Sequence, residues 1–185
     1  MNRFRTAASA FCLAAAALVP TAAPAQQPAP AAAAFTDDPQ AVLAMKAGIW
    51  DADITFPNAE PGKQKAKGVQ VNRLRSGGMW IINEFSVDGT PYEGTGIWGY
   101  DRASGRYSGI WTDTNDQKIR LDDGRWDPAT RTMTWSADVA QPDGRHARYL
   151  FTEEFKGDTR LFNMVALTRK GEVPLVSMVF TRRKG

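Results

Sequence analysis

Residues 92 to 113 read YEGTGIWGYDRASGRYSGIWTD, two runs of alternating aromatic residues and glycines around the turn Ala103-Ser104-Gly105. This pattern is typical of a β-hairpin. Because side chains alternate across a strand, five aromatic residues, three glycines and one acid share a face. They are Tyr92, Gly94, Gly96, Trp98, Tyr100, Tyr107, Gly109, Trp111 and Asp113. Aromatic side chains next to glycines predict a wall with room for a small molecule.

The same period of two continues along the chain after Gly48, in runs separated by short turns rich in glycine, aspartate and proline. The predicted strands cover 49–56, 67–75, 79–87, 92–101, 105–113, 117–122, 131–139, 145–155, 159–169 and 173–182. Short connections join neighbouring antiparallel strands, and closing such a sheet removes its exposed edges. We therefore predict an all-β fold, a single antiparallel up-and-down β-barrel of about ten strands.

A short helix is predicted before the first strand. Asp38 is a typical amino-terminal cap, Pro39 suits the first helical position, and Gly48 suits a left-handed residue that ends the helix. The strand 159–169 is apolar on both faces, so we expect its outer side to be covered, with the helix as one candidate. The clearest inward-facing residues are Trp50, Ala52, Ile54, Phe56, Met79, Ile81, Phe85, Val87, Met133, Trp135, Ala137, Val139, Ala147, Tyr149, Phe151 and Phe155.

The amino terminus has the pattern of a secretory signal peptide. Arg3 and Arg5 precede an apolar run and then Ala23-Pro24-Ala25, a small-residue cleavage pattern. We predict a signal peptide over 1–25 with cleavage after Ala25, a flexible alanine- and proline-rich leader over 26–36, and a barrel domain over 37–185. The expected location is periplasmic or secreted, with no stable membrane anchor.

The charge pattern does not indicate a nucleic-acid partner. The formal net charge of the whole chain is +3, and it falls to +1 without Arg3 and Arg5. Two basic clusters are interpreted as solvated surface, because export and near-neutrality both argue against a polyanion site. These clusters are Lys63, Lys65 and Lys67, and the terminal Arg182, Arg183 and Lys184.

Motifs for metals and nucleotides are weak. The spacing G-x-G-x-x-G occurs at 94–99, but it lies in a predicted strand, whereas dinucleotide binding needs a helix to begin there. His146 is the only histidine, which excludes a site of several histidines for zinc. In the predicted strand His146 shares a face with Arg148, whereas the apolar Ala147 lies on the other face, so His146 is expected to point outward. No metal site or cofactor is predicted.

Several stretches resemble a known family. Gly48-Ile49-Trp50 after a short helix is similar to the opening of lipocalin-type barrels. Further residues resemble the signature of a bacterial family, domain of unknown function 1579. They are Gly77-Gly78, Gly99-Tyr100-Asp101, Tyr107, Trp111-Thr112-Asp113 and Thr181-Arg182. The resemblance spans about Leu43 to Arg182 and implies a lipocalin-like or calycin-like barrel. It brings no activity and no catalytic residues.

The predicted ligand site lies on the inner face of the central hairpin. Gly94, Gly96 and Gly109 are expected to leave volume beside the indole rings. The candidate ligand-binding residues are Asn83, Tyr92, Trp98, Tyr100, Tyr107, Trp111, Asp113 and Asn163. Asp113 is also a candidate base, and the alternative is that it caps the turn before Asn115.

Four functional hypotheses remain open at this point. The favoured one is a barrel that binds a small apolar or amphipathic ligand without catalysis. The second is an enzyme that acts on such a molecule through Asp113 or a tyrosine. The third follows from the resemblance, since some small barrels related to lipocalins hold haem iron through one late histidine; it requires a bulge that turns His146 inward. The fourth is an interaction domain with a filled interior.

Overall fold

The computed structural model describes residues 37–115, 118–141 and 144–184. The predicted signal peptide and leader lie outside these residues. The described chain forms one α-helix, α1 (Pro39–Lys46), followed by ten strands, with a short 3-10 helix at Ser76–Gly78 between the second and third strands. The strands are β1 (Gly48–Thr55), β2 (Lys65–Arg75), β3 (Trp80–Val87), β4 (Glu93–Asp101), β5 (Arg106–Asp113), β6 (Arg120–Asp127), β7 (Thr132–Ala140), β8 (His146–Lys156), β9 (Thr159–Thr168) and β10 (Gly171–Arg182).

The ten strands close into one antiparallel barrel. Each strand pairs with the next in sequence, and β1 pairs with β10, with Ala52 opposite Phe180. The predicted all-β barrel is therefore confirmed. The sixth strand was placed too early, at 117–122, because its inward positions carry Asp122 and Gly124 rather than large apolar residues. All sixteen residues predicted to face inward are buried or half-buried.

α1 closes one end of the barrel. Its Val42 and Leu43 are fully buried and belong to a core cluster with Ile81, Met133 and Trp135. Because consecutive strands run in opposite directions, the hairpins β1–β2, β3–β4 and β5–β6 all lie at the other end. That end is open. Among the described residues, no helix is long and apolar enough to cross a membrane.

Both the start and the end of α1 agree with the prediction. The Asp38 carboxylate accepts a hydrogen bond of 3.1 Å from the backbone N–H of Gln40, which makes it the amino-terminal cap. The helix ends at Lys46, Ala47 is extended, and Gly48, with φ of 113°, already opens β1. Gly48 therefore has the positive φ predicted for the glycine that follows the helix, and it is also the first residue of the barrel wall.

Arg182, at the end of β10, holds the carboxyl end of α1. Its guanidinium donates to the Met45 carbonyl at 2.8 Å and also to the Ala47 carbonyl. It lies 4.1 Å from the centre of the Trp50 ring. A cation at this position complements the partial negative charge of the helix end. The interpretation of Arg182 as part of a solvated terminus is therefore wrong.

The outer side of β9 is not covered by the helix. Arg160, Phe162 and Met164 face inward, which leaves Leu161 and Val165 on the outside, both half-buried. α1 contacts β2, β3 and β4 instead. It lies across the barrel end because its apolar Val42 and Leu43 complete the core there, so the candidate cover α1 does not lie over β9.

Candidate functional site

The barrel contains a cavity of about 810 Å³ that opens between the hairpin loops. Its upper walls are apolar and come mainly from β1, β3, β9 and β10. They include Ile54, Phe85, Phe162, Val176, Met178 and Phe180. A cavity of this volume with mostly apolar walls and a few polar groups is the usual form of a small-molecule site.

The glycines of the central hairpin accommodate tryptophan rings rather than ligand. A Cβ atom built on Gly94 would lie 2.1 Å from the Trp111 ring, and one on Gly96 would lie 2.1 Å from the Trp98 ring. The two rings stack on each other, with centroids 6.0 Å apart. The expectation that these glycines leave free volume is therefore wrong. The rings lie flat on the sheet and form one wall of the cavity, and the free volume lies beside them.

Five of the eight candidate ligand-binding residues line the cavity: Asn83, Tyr92, Trp98, Trp111 and Asp113. They come from β3, β5, β4 and the loop before β4. The alternation of side chains brought them to the inner face, as the sequence pattern predicts.

The other three candidates lie elsewhere. Tyr100 and Tyr107 pack against each other with ring centroids 5.0 Å apart. Tyr107 belongs to the core cluster under α1, and the half-buried Tyr100 packs against that cluster. Both tyrosines are on the inner face of the barrel, but they lie toward the end closed by α1 and not toward the cavity. Asn163 is exposed, because Phe162 and Met164 occupy the inward positions of β9. Tyr100 and Tyr107 are therefore excluded from the ligand site by their depth along the barrel, and Asn163 is excluded because it points outward.

Asp113 organises the mouth of the cavity. Its Oδ2 atom accepts hydrogen bonds from Trp111 Nε1 at 2.9 Å and from the Tyr92 hydroxyl at 3.3 Å. Its Oδ1 atom accepts from the Asn115 backbone N–H at 2.9 Å, as expected for a turn cap. Burial, followed by the Asp113 charge, raises the pKa of Tyr92 well above its usual range. The Tyr92 phenol therefore stays protonated at neutral pH and is a poor base.

His146 lies on the outside of the barrel. It is exposed, and it pairs opposite Ala140 in a regular β7–β8 register. The bulge that would turn the ring inward is absent from this pairing, so the geometry required for haem ligation through His146 is not met. Within the described residues, no group of three or more His, Cys, Asp or Glu side chains is placed to hold a metal ion.

The floor of the cavity is a buried charge cluster that the sequence analysis missed. Lys46 Nζ donates to Glu153 Oε1 at 2.6 Å, and Trp135 Nε1 donates to the same oxygen at 2.9 Å. Arg160 Nη1 donates to Glu153 Oε2 at 3.0 Å. The three charged side chains are between 1% and 7% exposed. We refer to Lys46, Glu153 and Arg160 as the floor cluster.

The electrostatics of the floor cluster fix the charge of its carboxylate. Burial alone would raise the pKa of Glu153, but the charges of Lys46 and Arg160 and the hydrogen bonds it accepts outweigh burial and lower that pKa. Burial lowers the pKa of Lys46, with the Glu153 charge opposing the shift. The lowered pKa favours the ionised form of Glu153, which accepts hydrogen bonds from both Lys46 and Arg160.

A network of side-chain hydrogen bonds extends the floor of the cavity beyond the floor cluster. Arg160 and Asn72 both donate to Gln70 Oε1, Asn72 also donates to the Lys46 carbonyl at 2.7 Å, and Asn83 donates to Asn72 Oδ1 at 2.6 Å. A carbonyl can only accept, so the Lys46 carbonyl fixes the orientation of Asn72 and, through it, of Asn83. Two buried atoms of this network have no hydrogen-bond partner within the described residues: Asn83 Oδ1 and Arg160 Nε.

A second ion pair lies between the floor and the mouth. Arg120 and Asp122 form a two-point pair, with Nε to Oδ1 at 2.7 Å and Nη2 to Oδ2 at 3.0 Å. Trp98 Nε1 donates to Asp122 Oδ2 at 3.1 Å. The pair is neutral as a whole, and it locks the orientation of the Trp98 ring that forms the wall.

The charges inside the barrel had a signal in the sequence. Glu153 stands between Phe151 and Phe155 at inward phase, and Arg160 precedes Phe162 by two. The adjacent pairs 122–123 and 153–154 do point to opposite faces, so in each pair one carboxylate is necessarily inside. Lys46 had no such signal, because the helical pattern alone does not show that its side chain reaches the barrel interior.

Comparison with known proteins identifies a family and one distant structure. A family model described as "Protein of unknown function (DUF1579)" matches residues 36–182. No curated protein matches the chain. Among solved structures, the chain is similar to a crystal structure of a protein of unknown function from the DUF3598 family of Nostoc punctiforme PCC 73102. The identity is 8%, the match covers 80% of this chain and 100% of that one, and the TM-score is 0.27.

Proposed function

The chain belongs to the DUF1579 family of proteins of unknown function, and from its own cavity we propose that it binds a small apolar or amphipathic molecule inside the barrel. The observation that carries this proposal is the cavity of about 810 Å³, open at one end and walled by apolar side chains. A domain that used its barrel only as a scaffold would be expected to fill it.

The interior supports binding rather than catalysis. The candidate base Asp113 accepts hydrogen bonds from Trp111, Tyr92 and Asn115. The phenols of Tyr92 and Tyr107 have their pKa raised, by burial first, so neither ionises readily. Asp113 and Tyr92 hold the shape of the mouth, and Tyr107 packs in the core under α1.

Blocking the cavity from within tests the proposal. Met178 lines the cavity, and the next residue, Val179, points outward and is 43% exposed. We expect Met178→Trp to weaken binding of the neutral fluorescent probe N-phenyl-1-naphthylamine by about tenfold or more, because the indole occupies the ligand volume. The matched variant Val179→Trp should bind like the wild type. Binding that is absent in the wild type, or equal in both variants, would contradict the proposal.

The site of action in this proposal is the periplasm or the exterior of the cell. The pattern over residues 1–25, with Arg3, Arg5 and the small residues up to Ala25, supports export. Protein recovered from the envelope or medium of cells that express the full chain is expected to begin at Gln26. An intact mass that retains the first 25 residues would overturn this part of the proposal.

A further inference from the structure

The floor cluster carries an excess of positive charge at the bottom of an apolar cavity. Lys46 and Arg160 together face one carboxylate, Glu153, and all three side chains are at most 7% exposed. The neighbouring Arg120–Asp122 pair is neutral and does not change this balance. Aromatic rings offset part of this excess charge, since Lys46 Nζ lies 5.1 Å from the centre of the Trp98 ring and the Arg160 guanidinium lies 4.2 Å from the centre of the Phe180 ring. A negative charge placed beside the two cations would still be favourable.

Two floor atoms also lack partners. Arg160 is 1% exposed, and its Nε–H group has no acceptor within the described protein. Asn83 is 1% exposed, and among the described residues its Oδ1 atom has no donor. Both residues line the cavity. A wholly apolar ligand that reached the floor would leave both buried atoms without a hydrogen-bond partner, which is unfavourable.

The mouth is less suited to an anionic group. Arg120 is already paired with Asp122, and Lys63 is exposed and paired with Glu60. Lys65 also lines the cavity, but it is exposed to solvent and donates to the Thr55 hydroxyl at 2.7 Å. Exposed ion pairs are screened by solvent and contribute little to affinity. Asp113 adds a negative charge among the residues of the mouth. The polarity of the cavity therefore favours an anion at the floor and an apolar chain along the walls.

Resting on the proposed function, we propose that the natural ligand is a single-chain carboxylate, bound with its head group at the floor cluster and its apolar tail directed toward the mouth. One carboxylate supplies one negative charge, which matches the one excess cation; a phosphate monoester would bring more than one. The planar carboxylate also suits a guanidinium donor, and Arg160 lines the cavity with a buried Nε–H group that has no acceptor within the described residues. A water held beside the head group donates to Asn83 Oδ1.

Ligands that differ only in the head group test this assignment on the wild-type protein. Dodecanoate, dodecanol, dodecylammonium and dodecyl phosphate have the same tail, and each is titrated against bound N-phenyl-1-naphthylamine below its micelle concentration. We expect dodecanoate to bind about tenfold or more tightly than dodecanol, and dodecylammonium most weakly. Equal affinities of the acid and the alcohol would overturn the head-group assignment while leaving cavity binding intact. Tighter binding of dodecyl phosphate than dodecanoate would also overturn it.

Lys46→Met removes the excess charge and leaves the neutral Glu153–Arg160 pair, so the floor does not carry an unpaired ion. In this variant the preference for dodecanoate over dodecanol should disappear, with the affinity for dodecanol retained. Lys156→Met, on the exposed Lys156–Glu154 pair, makes the same change in net charge and should keep the preference. A preference that survives Lys46→Met and is lost in Lys63→Met would place the head group at the mouth and overturn the proposal. If no ligand displaces the probe, the proposed function itself fails.

Discussion

Replacing Glu153 with glutamine is expected to destabilise the protein by about 3–5 kcal/mol, because it leaves the two buried cations Lys46 and Arg160 without their shared anion. The carboxylate accepts from Lys46 at 2.6 Å, from Arg160 at 3.0 Å and from Trp135 at 2.9 Å. A neutral amide of the same shape cannot accept charge-assisted hydrogen bonds of equal strength, and its NH₂ group would face donors. Urea unfolding followed by tryptophan fluorescence measures the loss.

The neighbouring residue provides the control. Glu154 points to the other face, its side chain is 39% exposed, and it pairs with Lys156. Glu154→Gln is therefore expected to change the free energy of unfolding by less than about 1 kcal/mol. Adding Lys46→Met to Glu153→Gln should recover part of the loss, since it removes one of the two unpaired cations. A strictly additive double mutant would show that the charge cluster is not a coupled unit.

The same carboxylate determines a pH dependence. The pKa of Glu153 is lower in the folded protein than its ordinary value of 4.5. A depressed pKa contributes stability that is fully present above the unfolded pKa and is lost as the pH falls through the folded pKa. The difference in free energy of unfolding between the wild type and Glu153→Gln should thus be largest above about pH 5 and shrink on acidification. A difference independent of pH between 3 and 7 would contradict this assignment.

The barrel could be predicted because its signals are local and repeated. Alternation in residues 92–113 fixes the hairpin, and turn residues such as Gly105, with φ of 66°, separate each strand from the next. The weak point was β6, where Asp122 and Gly124 take inward positions normally held by apolar residues. Strand phase also placed His146 and Trp98 on the correct faces. Period and turn chemistry together therefore carried most of the topology.

The floor of the cavity could not be predicted in the same way. The contacts of Lys46 with Glu153 join residues 107 apart in sequence, and those of Arg160 with Gln70 join residues 90 apart. Depth along the barrel axis is the second missing quantity. Tyr107 and Trp111 share a face, yet Tyr107 lies in the core under α1 and Trp111 lines the cavity. Alternation assigns a face, whereas the stagger of the closed sheet and the position of the capping helix assign the depth.

Gly96→Ala is expected to destabilise the protein by about 3 kcal/mol, the upper part of the range for an overpacked core. The new methyl group would lie 2.1 Å from the Trp98 ring. That ring cannot move freely, because its Nε1 donates to the buried Asp122 at 3.1 Å and its face stacks on Trp111. Either the ring leaves its position and breaks these contacts, or the strand shifts. Thermal unfolding monitored by circular dichroism measures the effect.

Two further variants distinguish steric overlap from other effects of adding a side chain. Thr95 is exposed on the same strand, so Thr95→Ala should cost less than about 1 kcal/mol. The atoms nearest to the added methyl are Cη2, Cζ3 and Cζ2 of Trp98, which phenylalanine lacks. In a Trp98→Phe background, Gly96→Ala should therefore destabilise the protein much less than in the wild type. The expected coupling energy between the two positions is about 1 kcal/mol or more, as for other pairs of residues in contact. If Gly96→Ala lowers the free energy of unfolding equally in both backgrounds, the glycine is needed for its backbone conformation and not to leave space for the indole ring. If the loss of stability is smaller in the Trp98→Phe background, the glycines position the aromatic wall of the cavity by leaving space for its indole rings.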